Sequence, residues 1–445
     1  MEFKISQGVF NQGLSVCSKA LPAKENIPVL QYIKLTVEED ALVLAATDMD
    51  VLWEYRKNAD DSLVIKKSGN KCVLGKMLVD MTDHMPSNQF IEVALTEKPD
   101  NSDTDDNITY RDNQLFMTAD KSKGKKRKVW VTCLNDESQF PGDEFVAKNP
   151  VTFEIKSSNL ANMIKRTAFA AGYEEMKSYL MGIKFDIAGG RVGCVSSDSR
   201  RISYCECADS SIVVDDDLQF MLPISSANDL LAGISEEGTT KVTIGDNVGI
   251  FTQVNDGWSV TFKTSLLPTD SFPDWKSVVS KFDFNASFGM DRLGSLKTAC
   301  GVVKCTKYGC DLAFDGPDGT VKVVGRESDT DGFFQAGVED YMECSSDVKE
   351  VVNIAIKPSY LIDGLRQMTS DAIQVKIGAT EDESSRLLAI TDVNTDEEIH
   401  RYYITPIIVD ETAVVSGPGS ASTEDEDFNS DGIDEIGNLE ELIED

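Results

Sequence analysis

The chain has 445 residues, a formal net charge of −33 and 41% hydrophobic residues. That length is too great for one ordinary core and implies roughly two to four domains. No run of eighteen apolar residues exists, which excludes a membrane-spanning helix, and the acidic balance argues against broad nucleic-acid affinity. The opening "MEFKISQGVF" lacks a basic stretch followed by an apolar block, so no signal peptide is expected and a cytoplasmic protein is the default. The ten cysteines include no CxxC pair and read as small apolar core residues rather than metal ligands. The two histidines, His84 and His400, stand near no nucleophile motif, and no phosphate-binding glycine loop is present. Neither catalysis nor a metal or cofactor is expected.

The first predicted element is a helix in "SQGVFNQGLSVCSKAL", with Val9, Phe10, Leu14, Cys17 and Leu21 at helical spacing. An alternating strand pair comes next, from Leu30, "LQYIKLTVEEDALVLAATDMDVLWEYR". After it stands a strand–helix–strand run, "CVLGKMLVDMTDHMPSNQFIEVAL". The basic run "KSKGKKRK" (121–128) reads as a hairpin tip leading into a strand, and "SQFPGDEF" closes the unit where Phe-Pro ends a strand.

The same order then returns twice. "KSSNLANMIKRTAFAA" predicts a helix capped by Ser157 or Ser158. Beyond it lie "LMGIKFDIAGGRVGCVSSDSRRISYCE", then "FMLPISSANDLLAGISEEGTTKVTI", and a second Phe-Pro in "DSFPDWKSV". The third copy runs "GMDRLGSLKTACGVV", "YGCDLAFDGPDGTVKVVGRESDTDGFF", "IAIKPSYLIDGLRQMTSDAIQVKI" and "YYITPIIVD". Leu35 to Asp48, Phe185 to Asp198 and Phe314 to Glu327 are each thirteen residues apart, with an acid near the end of the second strand each time. The fold expected is α+β: three tandem domains at 1–146, 150–277 and 283–410, each with two helices on one face of antiparallel sheets. Residues 410–445 hold thirteen Asp or Glu and no Lys or Arg, so 411–445 reads as an acidic, disordered tail. Ile433, Ile436, Leu439, Leu442 and Ile443 within it stand near helical spacing, and a short helix docking on a partner or on this chain is the other reading.

This triplication resembles the bacterial DNA polymerase III beta subunit family, the replicative sliding clamps. The resemblance rests on "KENIPVLQYIKL" and "AATDMDVLWE" in the first copy, on "YLMGIKFD", "SSDSRRIS" and "SFPDWKSVV" in the second, and on "YYITPIIV" in the third. It implies a ring-shaped head-to-tail homodimer with helices lining a central hole and sheets outside. Such a ring encircles duplex DNA without reading its sequence. It tethers a polymerase without chemistry of its own, and a clamp loader opens it. The other reading is a clamp-fold interaction hub that engages DNA weakly, motivated by the acidic body and by Glu174 and Glu175 beside the expected hole.

The resemblance also implies three sets of site residues. Lys19, Lys24, Lys165, Arg166, Arg292, Lys297 and Arg366 are expected to face the DNA channel. On residue type alone they read equally as solvated helix faces. A partner-peptide cleft between the second and third domains is expected from Leu180, Ser197, Ser199, Arg200, Arg201 and Ile202, with Pro273, Ser277 and Val278 from the connector. Tyr308, Tyr403, Ile404, Thr405, Pro406 and Ile407 complete it. Leu180, Ile202, Val278 and Ile404 read on residue type as core. Ser277 stands where the family usually has arginine, Arg200 where histidine is common, and Thr405 and Ile407 where methionines flank the proline. The dimer joint is expected to pair Lys126, Arg127, Lys128 and Val129 with Val302, Val303, Asp329 and Asp331 of the other copy.

Overall fold

Three times along the chain, a strand leads into a helix and four strands into a second helix, before three closing strands. The computed structural model describes residues 1–407 except 23–26, 88, 97–112, 121–124, 135–136, 142–143, 215, 306–308, 329–333, 383–384 and 393–397. The first run comprises β1 (Glu2–Ser6), α1 (Gln7–Ser18), β2 (Tyr32–Val37), β3 (Ala41–Thr47) and β4 (Val51–Asn58). It continues through an extra short strand β5 (Leu63–Lys67), β6 (Gly69–Leu74), α2 (Gly75–Asp83), β7 (Phe90–Thr96), β8 (Gln114–Asp120) and β9 (Lys126–Thr132). The second comprises β10 (Val151–Lys156), α3 (Ser157–Ala168), β11 (Gly182–Ala188), β12 (Arg191–Ser197) and β13 (Arg201–Ala208). After these come β14 (Leu218–Pro223), α4 (Ile224–Gly233), β15 (Thr239–Ile244), β16 (Val248–Asn255) and β17 (Trp258–Ser265). A connector helix α5 (Trp275–Val279) precedes the third: β18 (Asp283–Asp291), α6 (Arg292–Cys305), β19 (Gly309–Asp315), β20 (Thr320–Ser328) and β21 (Phe334–Ser345). It ends with β22 (Val351–Ile356), α7 (Pro358–Gln367), β23 (Ala372–Ala379), β24 (Arg386–Asp392) and β25 (Glu398–Ile404).

Pairing repeats as faithfully as order. The opening strand of each run pairs with the strand after the second helix: β1 with β7, β10 with β15, β18 with β23. The strands between the helices run in the orders β6-β2-β3-β4, β14-β11-β12-β13 and β22-β19-β20-β21, and in the third run β21 also bonds the end of β18. The helices pack in pairs, α1 with α2, α3 with α4 and α6 with α7. The first helix of each pair lies on β3 and β4, on β12 and β13, or on β20 and β21. Side chains alternate across a strand, so one sheet face is buried by helices and the other is left for connectors. On β24, Leu388 and Ile390 enter the helix-side core, while Leu387 and Ala389 face the connector.

The runs are fused into continuous sheets. The last strand of the second, β17, pairs antiparallel with β4 of the first. The last strand of the third, β25, pairs the same way with β13 of the second. An eight-stranded and a twelve-stranded sheet result, with a five-stranded sheet, β5-β1-β7-β8-β9, at the start of the chain.

Two local expectations are corrected. The Phe-Pro pairs do not end strands. β9 ends at Thr132 and β17 at Ser265, and Phe140 and Phe272 are plugs buried beneath the connectors beyond them. Ser157 and Ser158 do not cap α3, whose N-cap is Lys156 with no side-chain cap bond. The Ser157 hydroxyl is buried and lies 2.8 Å from that of Thr240, a tertiary contact that competes with capping.

Candidate functional site

The turn between β12 and β13 carries Ser197, Asp198, Ser199, Arg200 and Arg201. The Asp198 carboxylate accepts from the Arg200 and Arg201 amides at 2.9 and 3.0 Å, while the Ser197 hydroxyl donates to the Arg201 carbonyl at 2.8 Å. Ser199 takes the left-handed conformation at φ 77°. The first run builds the same turn: the Asp48 carboxylate accepts from Asp50 and Val51, Thr47 donates to Val51, and Met49 sits at φ 86°. The acids picked out by the thirteen-residue spacing therefore organise turns in the first two copies. In the third copy Glu327 instead continues β20, opposite Ala336.

Arg201 leaves its turn to join the second run to the third. Its guanidinium donates to Asp198 at 2.8 Å, to Asp363 on α7 at 2.6 Å and to the Phe169 carbonyl at 2.8 Å. It lies 4.5 Å from the Tyr360 ring centroid. Its side chain is only 11% exposed. Burial opposes the charge, yet Tyr402, Asp198 and Asp363 outweigh it and hold the pKa above the ordinary arginine value. Arg201 is a buried fastener, not a group presented to a peptide.

On the opposite sheet face, away from the helices, lies an apolar cluster of Leu180, Val195, Met221, Phe272, Trp275, Leu387, Ala389 and Tyr403. Ile202, Tyr204, Leu267, Val279, Phe282 and Phe284 pack on it half-buried. Trp275 packs on Tyr204 with ring centroids 4.7 Å apart and the planes tilted by 37°. The connector keeps Pro273, Ser277 and Val278 exposed, with Val278 at 45%. Thr405 is held by its amide and hydroxyl on the Arg200 carbonyl at 2.9 and 2.6 Å, and the Ile407 amide donates to Ala355. Pro406 and Ile407 are half-buried at this edge. Ile404 is fully buried in the helix-side core and is not available to a ligand. Tyr308 lies outside the described residues. Phe272, Trp275 and Phe284 were missed by sequence reasoning; the aromatic density of the connector, "SFPDWKSVVSKFDF", was the available signal.

The basic residues expected on the helices divide. Lys297 and Arg366 are exposed on α6 and α7, and Lys19 is exposed where α1 ends. Lys165 is exposed but paired with Glu236. Arg292 donates to the Ser370 carbonyl at 3.0 Å. Arg166 is corrected: it is buried, its guanidinium donating to Thr369 at 3.3 Å between the second and third runs. Lys24 lies outside the described residues. Glu174 is exposed and pairs with Lys177 at 3.1 Å.

At the joint residues, Lys126 to Val129 do lie on β9, an edge strand. Lys126 and Lys128 are exposed beside Trp130, whereas Arg127 turns back to the His84 carbonyl. Val302 is corrected: it is buried in the core of the third run and cannot meet another chain, and Val303 packs half-buried on that core. Asp329 and Asp331 lie outside the described residues. β21 instead presents Glu339, Asp340 and Glu343, with Tyr341 52% exposed between them.

No helix among the described residues is long and apolar enough to cross a membrane. Residues 1–111 match the family model of the DNA polymerase III beta subunit N-terminal domain, and residues 154–274 match that of its central domain, together just over half of the chain. A beta sliding clamp of Streptococcus pneumoniae is 24% identical over 428 residues, covering 92% of this chain and 99% of that protein. One from Halalkalibacterium halodurans is 23% identical, covering 90% and 98%. The crystal structure of the DNA polymerase III subunit beta from Pseudomonas aeruginosa shares the fold at a TM-score of 0.75 and 20% identity, covering 92% of this chain and all of that one. The sliding clamp from Bacillus subtilis does so at 0.76 and 17%, covering 92% and 99%. A three-fold α+β repeat, two fused seams and both family models lead to one assignment: the chain belongs to the DNA polymerase III beta subunit family.

Proposed function

We propose that two copies of this chain close head to tail into a ring that encircles duplex DNA in the cytoplasm and tethers a polymerase to it. The observation that carries this reading is the repeated seam. In each seam the last strand of one run pairs with the strand at the far end of the β6-β2-β3-β4 or β14-β11-β12-β13 order: β17 with β4, β25 with β13. Applied once more, the rule leaves β9 to pair with β21, whose open side meets β18 only at its end, through Gly289 and Met290 opposite Ser345 and Cys344. β9 offers Lys128, with Lys126 beside Glu92, and β21 offers Asp340 and Glu343, with Glu339 paired to Lys322, so charge complementarity favours this register. A heterologous contact of this kind closes into a ring when the rotation permits. The division into 1–146, 150–277 and 283–410 belongs to the same proposal.

Six helices on one side of the sheets would line the hole. Sparse cations suit a ring that slides, since each fixed phosphate contact adds counterion-release affinity and slows motion. Lys297, Arg366 and Lys19 are the described candidates. With Arg166 buried and Lys165 and Lys177 paired to acids, the grip on DNA is weak. That favours topological retention, and it is the observation behind a second reading as an interaction hub with little DNA engagement. Polymerase and clamp loader would use the apolar face at the second seam, through short peptides with apolar anchors. The ring would do no chemistry of its own.

Light scattering at micromolar concentration is expected to give a dimer, weakened by salt and weakened further by Lys126→Glu with Lys128→Glu. The loaded protein should stay on nicked circular DNA and leave it on linearisation. A monomer, or equal retention on linear DNA, would overturn the ring.

A further inference from the structure

We propose that residues 433–443 of this chain dock on the apolar outer face of the second seam and compete there with peptide partners. The inference deepens the reading of that face as a partner site and rests on it. The face is unfinished: Val278 is 45% exposed, Pro273 is exposed, and Ile202, Val279 and Phe284 are half-buried over the Leu180–Trp275–Tyr403 cluster. Nothing else in the described chain covers them.

Three observations select this occupant. The described chain ends on the rim of this same face, with Thr405 pinned to Arg200 and Ile407 to Ala355. The segment beyond Ile407 therefore starts where it would need to bind. Ile436, Leu439, Leu442 and Ile443 share one side of an α-helix, within an arc of about 120°, with Ile433 at its margin. The remaining residues of that segment are largely acidic, and the rim presents the exposed Arg200 and Lys276 in a body that is otherwise strongly acidic. A Gly- and Ser-containing linker of the 25 residues between Ile407 and Ile433 spans roughly 28 Å on average, enough to return to the rim.

Tethering makes a weak contact effective. An effective concentration of about 1 mM against an intrinsic Kd of about 100 µM would weaken a competing peptide about tenfold. Such a tail would set a threshold that only a well-anchored partner passes.

The test uses the full chain, with the photo-crosslinker benzoylphenylalanine replacing Leu442. Adducts are expected within the same chain, on residues 273–279 or 403–407, with lower yield at high salt. Their absence, adducts elsewhere, or adducts joining two copies would overturn docking in cis. In parallel, a fluorescent decapeptide carrying two leucines and a phenylalanine should bind the Leu439→Ser/Leu442→Ser chain about tenfold more tightly than the unaltered chain. Equal binding to both sinks self-docking and leaves the partner face standing. Adducts on the face without any decapeptide binding would keep self-docking and remove the partner reading.

Discussion

The two seams share one backbone plan and hold it by different chemistry. In both, seven residue pairs run antiparallel, and a carboxylate turn sits at the end. In the first, Trp53 lies opposite Phe262 with rings 4.7 Å apart, and Tyr55 stacks on Trp258 at 5.8 Å. The equivalent positions of the second seam hold Ser203 opposite Tyr402 and Cys205 opposite His400. Asp48 and Asp229 face each other at the first seam, where position 51 is valine; burial, then Asp48, raise the pKa of Asp229, with Lys19 opposing. Asp198 and Asp363 occupy the matching positions at the second seam, and Arg201 stands between them. One plan thus accepts either aromatic burial or a buried ionic network. The ionic version is exacting about each partner.

The largest expected break in this comparison is Trp53→Ala. Trp53 is fully buried, and α4 approaches it so closely that a Cβ on Gly233 would lie 2.0 Å from its ring. Its loss should cost about 4 kcal/mol, read as a lower urea midpoint and faster amide exchange in β4 and β17 with β13 and β25 spared. Arg201→Ala should cost about 3 kcal/mol by stranding two carboxylates, with the exchange pattern reversed between seams. Equal exchange at both seams in either variant would show that they are not separate units.

The smallest effect is set by pH. His400 is buried, and burial, then the nearby Arg166, lower its pKa to about 4, against the raising influence of Asp392. Ser203 donates to the Arg166 carbonyl at 2.5 Å, so its oxygen accepts from His400 Nε2 at 3.1 Å, leaving buried Nδ1 without a partner. The lowered value sets the sign: the unfolded chain takes up a proton below its ordinary 6.5, the folded chain only near 4. Stability should hold above pH 6.5 and fall between 6.5 and 4, by about 2–3 kcal/mol at the lower end. Val260 occupies the corresponding place in the first seam. His400→Val should flatten this window in unfolding measured across pH, while an unchanged profile would move the dependence to other groups.

Much of this was legible from residue order. The thirteen-residue spacing found Asp48 and Asp198, and both organise the turns that end at the seams. The hairpin reading of "KSKGKKRK" put a strand after the tip, and Lys126 to Val129 lie on it. Arg166 was misplaced because its helical position read as outward, and Val302 because the family resemblance put it at the joint. Arg166 is covered by Thr369 from the neighbouring run, and Val302 turns into its own core. The Phe-Pro pairs were legible as connectors but not as plugs.

Local patterns such as period, turn chemistry and a triplicated order need only nearby residues, and these the sequence determined by itself. Which of two acids receives an arginine, which cation remains exposed and which apolar face stays open are properties of surfaces brought together from different runs. Only the tertiary structure decided them, because burial depends on what another part of the chain lays over a residue.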